Sequence, residues 1–285
     1  GVSTGALMAP FAFLGPSQDD ALREFYTTTS SRDIFEIRSF VIRLLRGESF
    51  ADTDALAALI ARHVDEELLR KVADAQQRGR RLYMGTADLD SQNFVVWNMG
   101  LIAASDHPEA PELFRKVMLA SASIPVAFPP VLFEVEADGQ RYDEMHVDGA
   151  VMFNVFLHGG VFRPSVVRSR GEHGAGREDV FVIHNGQLLA ESTPTRRSVR
   201  GIALRSLVVA GRSAVIGDLF RIYAFTLHEG ASFQWVTIAE GVDLEGAELF
   251  DPVKMTELYE IGYRAAVAGP LWFSQPPGMG EAGIP

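Results

Sequence analysis

The first five residues, Gly1-Val2-Ser3-Thr4-Gly5, constrain this chain more than any other stretch. A serine with glycine two positions before it and two after it suits a turn too tight for larger neighbours. The helix-forming run Ala6-Leu7-Met8-Ala9 follows at once, which sets the serine at a helix N-terminus. In such a turn Gly1 and Gly5 are expected to avoid clashes with neighbouring backbone, while Ser3 takes strained backbone angles and stays exposed. The helix dipole favours negative charge developing beside it. The pattern ordinarily joins a strand to a helix, and no strand precedes it in this sequence.

Downstream, the pattern alternates. Thr4 to Leu14 reads as a helix closed by Gly15-Pro16, with Pro10 expected to kink it. Helices are expected over Asp19–Thr28 and Ile34–Leu45. Between Asp52 and Gln77 two more are expected, capped by Asp52 or Thr53 and by Asp65. Leu82–Ala87 and Phe94–Trp97 read as strands about a turn at 89–93, and Pro108–Ala120 as a helix. The prolines of Ser123–Pro130 break regular structure. Strands follow at Val131–Val135 and Glu144–Val147 about an Asp138-Gly139 turn, then at Val180–Ile183 and Phe233–Ala239. A long helix is expected over Arg200–Thr226, and a last one opens at Asp251-Pro252. Alternating strands and helices favour a layered α/β fold.

The formal net charge of −11 argues against a nucleic-acid partner and against electrostatic attraction to anionic lipid. Membrane contact would have to be apolar and local. There is no cysteine, so disulfides and thiolate metal sites are excluded. No HExxH or EF-hand pattern is present, and neither a metal nor a cofactor is expected. The first apolar run, Ala6–Leu14, lacks the basic flank of a signal peptide, and localisation stays open.

A serine hydroxyl is a weak nucleophile until a base takes its proton. Asp148 is the distinctive candidate. It ends a short apolar strand in the tight turn Asp148-Gly149-Ala150, where active-site residues of open α/β sheets stand. An ordinary Asp-Gly turn is the plain alternative. His146 shares a strand face with Asp148 and could tune or replace it, and His184 ends another buried strand. His63, His107, His158, His173 and His228 read as surface or loop residues. Arg78, Arg80 and Arg81 complement a helix C-terminus, and Gly171–Arg177 reads as a solvated loop.

With these motifs in view, the chain resembles the bacterial patatin-like phospholipases. GVSTGAL matches their elbow, HVDGA at 146–150 their Asp-Gly motif, and LASASIPVAFPPV at 119–131 the proline block between; FDPVKMTELYEIGYRAA at 250–266 is similar to their closing helix. The resemblance implies a three-layer α/β/α sandwich around a mostly parallel central sheet. It spans a single catalytic domain over 1–273, with a flexible tail at 274–285. It also implies a Ser–Asp dyad acting on a lipid or acyl-ester substrate through an acyl-enzyme. Ser3 is then the nucleophile and Asp148 the general base. Gly1, Thr4, Gly5 and Gly149 support the elbow and the dyad turn, and Phe128 lines the substrate pocket.

The family's Gly-rich oxyanion loop precedes its elbow and has no counterpart here, leaving the Thr4 amide as donor. The sequence therefore reads as a fragment, with a companion N-terminal chain or a missing segment, and as a poor catalyst alone. Two rivals stay open: an α/β-hydrolase with a Ser–Asp–His triad, and a non-catalytic module that binds lipid or protein.

Overall fold

The computed structural model describes residues 1–29, 54–157, 165, 178–188, 194–242, 251–269 and 272–279. The helix expected over Ile34–Leu45, the Gly171–Arg177 loop and tail residues 280–285 lie outside the described residues. The chain divides into two compact units, Gly1–Met152 with Leu244–Ile261, and Phe153–Asp243 with Gly262–Pro285.

The first unit opens with α1 (Thr4–Leu14) and α2 (Asp19–Thr27), followed by α3 (Asp54–His63) and α4 (Glu66–Gln77). Pro10 lies within α1 without ending it. Asp65 caps α4 by accepting from the Leu68 amide at 2.8 Å, and Leu68, Leu69 and Val72 then fall on the inner face. The strands are β1 (Tyr83–Asp88), β2 (Asn93–Asn98), β3 (Val131–Ala137) and β4 (Gln140–Asp148), and their order in the sheet is β2-β1-β4-β3. A short α5 (Met99–Ala103) and the longer α6 (Ala110–Ser121) lie between β2 and β3. The sequence pattern did not suggest α5. It is one turn long, too short for a periodic signal, and is capped by Asn98. The core gathers Phe11, Ile60, Val72, Met84, Phe114 and Met118, all essentially inaccessible.

All three pairings of this sheet are antiparallel, with Thr86 opposite Asp148 and Val131 opposite His146. The mostly parallel central sheet is therefore not what these four strands form. For the β1–β2 and β3–β4 pairs the reason is local. A connection of a few residues can join only antiparallel neighbours, and Asp138 (φ 52°) with Gly139 (φ 74°) makes the two-residue turn that matches strand twist. The Gly1 nitrogen donates to the Tyr83 carbonyl (2.8 Å), and the Gly85 amide to the Gly1 carbonyl (3.1 Å). At that point the chain lies along β1 in the bonding pattern of a parallel neighbour.

In the second unit β5 (Asp179–His184) and β6 (Ser232–Thr237) pair in parallel and are joined by the long α7 (Val199–Glu229). This is a β-α-β crossover. Val215, Leu219 and Ile222 of α7 pack with Val182, Phe233 and Trp235. Gly230 closes α7 in the left-handed conformation (φ 71°). The last helix, α8 (Pro252–Val267), starts at Asp251, whose carboxylate accepts from the Val253 amide at 3.0 Å. The described residues bear out the α/β class.

Candidate active site

Ser3 is the N-cap of α1 with φ 56° and ψ −130°, angles that a residue with a side chain rarely adopts. Its neighbours hold it there. The Ser3 amide donates to Ser121, whose carbonyl lies at 3.1 Å and hydroxyl oxygen at 3.2 Å. The Ser121 hydroxyl in turn donates to the Gly85 carbonyl at 2.7 Å. A Cβ on Gly1 would run into the Gly5 carbonyl, so Gly1 admits no larger residue without a shift. Gly5 carries no such constraint, because a Cβ there meets no atom within 4 Å. The sequence-based expectation that both glycines avoid a clash holds for Gly1 alone.

Asp148 ends β4 and is buried. Its amide donates to the Ser123 carbonyl at 2.9 Å, which ties it to the segment before the proline block. One carboxylate oxygen, Oδ1, accepts from the Ala150 amide at 2.8 Å. The other, Oδ2, accepts from the Ser3 hydroxyl at 2.5 Å, across 145 residues of chain. Burial pushes the Asp148 carboxyl up to about 6, against the two hydrogen bonds that favour its charged form. Gly149 lets this turn press against β1, since a Cβ there would come within 2.6 Å of the Gly85 carbonyl oxygen.

Thr4 begins α1, and its amide has no intrahelical acceptor. Its side chain and carbonyl are held by Tyr26 of α2. The two hydroxyl oxygens lie 2.9 Å apart, and the Tyr26 hydroxyl donates to the Thr4 carbonyl at 3.0 Å. Burial raises the Tyr26 hydroxyl well above its ordinary pKa, so it stays protonated. Sequence inspection missed both Tyr26 and Ser121. Tyr26 belongs to no motif, Ser121 lies in the 119–131 block without a role suggested there, and only folding brings them to the elbow.

Beside Ser3 is a largely apolar cavity of about 100 Å³. Phe128 lines it, together with Leu7, Tyr26, Leu59, Ile124 and Met255.

Among the described histidines, His146, His184 and His63 have partners of their own. Nδ1 of His146 lies 2.9 Å from the Thr86 hydroxyl and Nε2 lies 3.3 Å from Glu144, with Trp97 and Phe133 packed about the ring. His184 lies in the second unit, 3.0 Å from the Thr237 hydroxyl, and burial, then the charge of Arg212, lowers its pKa. His63 is not a surface residue but half-buried on Phe25, with a pKa lowered chiefly by burial. His228 is exposed on α7, whereas His158 and His173 lie outside the described residues.

Asp88, Glu144 and His146 bring three metal-ligating atoms within 4.8 Å of one another. Each already has a protein partner: Asp88 accepts from Ser91 and from the Asp90 amide, and His146 lies between Thr86 and Glu144.

Comparison with known proteins agrees with this geometry at the level of family. The family model described as Patatin-like phospholipase matches residues 1–160. That is more than half of the chain and includes both Ser3 and Asp148, and the chain belongs to this family of lipid acyl hydrolases. No curated protein matches it.

Proposed function

We propose that Ser3 and Asp148 are the catalytic dyad of a serine carboxyl-ester hydrolase acting on phospholipids, glycolipids or simpler acyl esters. One observation carries this reading: a serine hydroxyl at a strained helix N-terminus donates at 2.5 Å to a buried carboxylate. Asp148 Oδ2 takes the Ser3 proton as Oγ attacks the ester carbonyl carbon. The tetrahedral oxyanion forms beside the start of α1, where the Thr4 amide is free of an intrahelical acceptor and the helix dipole favours negative charge. Collapse of this intermediate breaks the ester C–O bond, and the proton on Asp148 passes to the leaving alcohol. Water then gives a proton to Asp148 and attacks the acyl-enzyme. Ser3 recovers its proton and the fatty acid departs. The Ser3 amide is already bound to Ser121, so it takes no part in holding the oxyanion.

The apolar cavity supports an acyl-chain site, with Phe128 on its wall. The same reading carries the family's three-layer α/β/α sandwich as the complete architecture of one catalytic domain over 1–273. The parallel β5–β6 pair and the parallel contact of Gly1 with β1 support it.

The test is labelling by a fluorophosphonate. Wild type should label and Ser3→Ala should not; labelling that survives this substitution sinks the proposal. Asp148→Asn should keep its fold and lose turnover by about 10²–10⁴-fold, the usual worth of a positioned base. Ester hydrolysis at the wild-type rate in that variant removes Asp148 from the mechanism. If replacing any one histidine abolished labelling, a triad would be favoured instead.

A further inference from the structure

Helix α7 changes character along its length. From Val215 onward it supplies Val215, Leu219 and Ile222 to the core of the second unit. Between Val199 and Val209 none of its described residues is fully buried. Val199, Ile202, Leu207, Val208 and Val209 are all exposed, Val199 at 88% and Val209 at 57%. Large aliphatic side chains left in water on successive turns mark a contact surface.

The charge there is equally uneven. The whole chain carries −11, yet residues 196–217 hold five arginines and no acidic residue. Along α7, Ile202, Arg205, Val209 and Arg212 recur at steps of three and four, so they run as one stripe, and Ile216 beyond them packs against the core of the second unit. Aliphatic side chains alternating with guanidinium groups match the boundary between acyl chains and phosphate head-groups. The aliphatic groups enter hydrocarbon there, while arginine lays its long stem along them and holds its charge at the phosphates. The long α7 does not reach the apolarity of a membrane-crossing helix. Contact would therefore be along the surface.

We propose that the N-terminal half of α7, with Arg196 and Arg197 just before it, docks the protein on an anionic phospholipid surface. The proposal rests on the lipid acyl hydrolase reading, since such a surface is where the substrate of that enzyme resides. The net charge of the chain opposes approach at long range, so docking depends on this local basic stripe within a Debye length, about 8 Å at physiological salt.

The test uses the full chain carrying Ser3→Ala, which leaves vesicles intact. It is mixed with vesicles of phosphatidylcholine alone or of phosphatidylcholine with phosphatidylglycerol, and the bound fraction is read by flotation. Binding should need phosphatidylglycerol and fall in high salt. Arg196→Glu with Arg197→Glu, two exposed positions, should weaken it about tenfold or more, and Ile202→Ser with Val209→Ser should do the same. Equal binding to both vesicle types, binding unmoved by either pair, or no binding at all overturns the proposal. So does loss of self-association, rather than of vesicle binding, in the variants, since a second copy then covers the stripe. Turnover of a water-soluble ester by the same pairs in the active background separates the two ideas. Full turnover without vesicle preference overturns docking alone, and docking without turnover overturns the dyad alone.

Discussion

Ser3 sits at φ 56°, a backbone cost of about 1–3 kcal/mol that the surrounding contacts sustain. Those contacts divide the two glycines of the elbow. Gly1→Ala puts a methyl group against the Gly5 carbonyl, and Gly5→Ala meets nothing within 4 Å. We expect Gly1→Ala to lose most esterase activity and Gly5→Ala to keep its fold and Ser3 labelling. Paired turnover and thermal-denaturation measurements would check this, and equal sensitivity of the two positions would contradict it. Asp148 sets the second expectation at this scale. A general base works ionised, so kcat/KM should rise as pH climbs through about 6 and level off above it. A rise at the ordinary carboxylate pKa, near 4, would mean that burial does not govern this group.

At the scale of elements, the site depends on how α1 is held. Tyr26 of α2 satisfies both the hydroxyl and the carbonyl of Thr4. Tyr26→Phe removes these bonds and leaves a half-buried carbonyl without this donor. A loss of about 1–3 kcal/mol in urea denaturation is expected, along with a lower kcat as the start of α1 loosens. An unchanged kcat would show that the Thr4 amide keeps its position without Tyr26. Much at this scale was legible in the sequence. Asp65 was read as a cap, Asp138-Gly139 as a hairpin turn and Gly15 as a helix stop, because each acts through bonds within a few residues. The start of α7 at Ser198–Val199 and its end at Gly230 also lie close to the expected span. Strand pairing was less legible. β1 lies between β2, its neighbour in sequence, and β4, which is far along the chain, and no local pattern specifies the second partner.

At the scale of the whole molecule, the two cores of the described residues and an uneven charge distribution matter most. The net charge alone argued against anionic lipid, but that charge is averaged over a chain in which residues 196–217 hold five arginines and no acidic residue. Stability against pH is also a property of the whole chain. Asp148 folds with a pKa near 6 and unfolds to an ordinary carboxylate, so between about 4 and 6 the folded state binds more protons. Its contribution therefore opposes folding increasingly as pH rises through that window. The penalty is fully present above about 6, amounts to a few kcal/mol at most, and vanishes below about 4. Asp148→Asn should accordingly raise the melting temperature relative to wild type at pH 8, with the gap closing towards pH 4. Equal melting temperatures at pH 8 would refute this.

The sequence by itself determined the tight turn at Ser3, the caps, the hairpins and the alternation of helix and strand. Each follows from sterics or hydrogen bonds among near neighbours, and the motif order carried the family. Only the tertiary structure decided that Ser3 meets Asp148 across 145 residues, that Ser121 takes up the Ser3 amide and that Tyr26 secures Thr4. It also decided that His146 belongs to Thr86 and Glu144. Those outcomes depend on which surfaces exclude water together, and spacing along a chain does not contain that information.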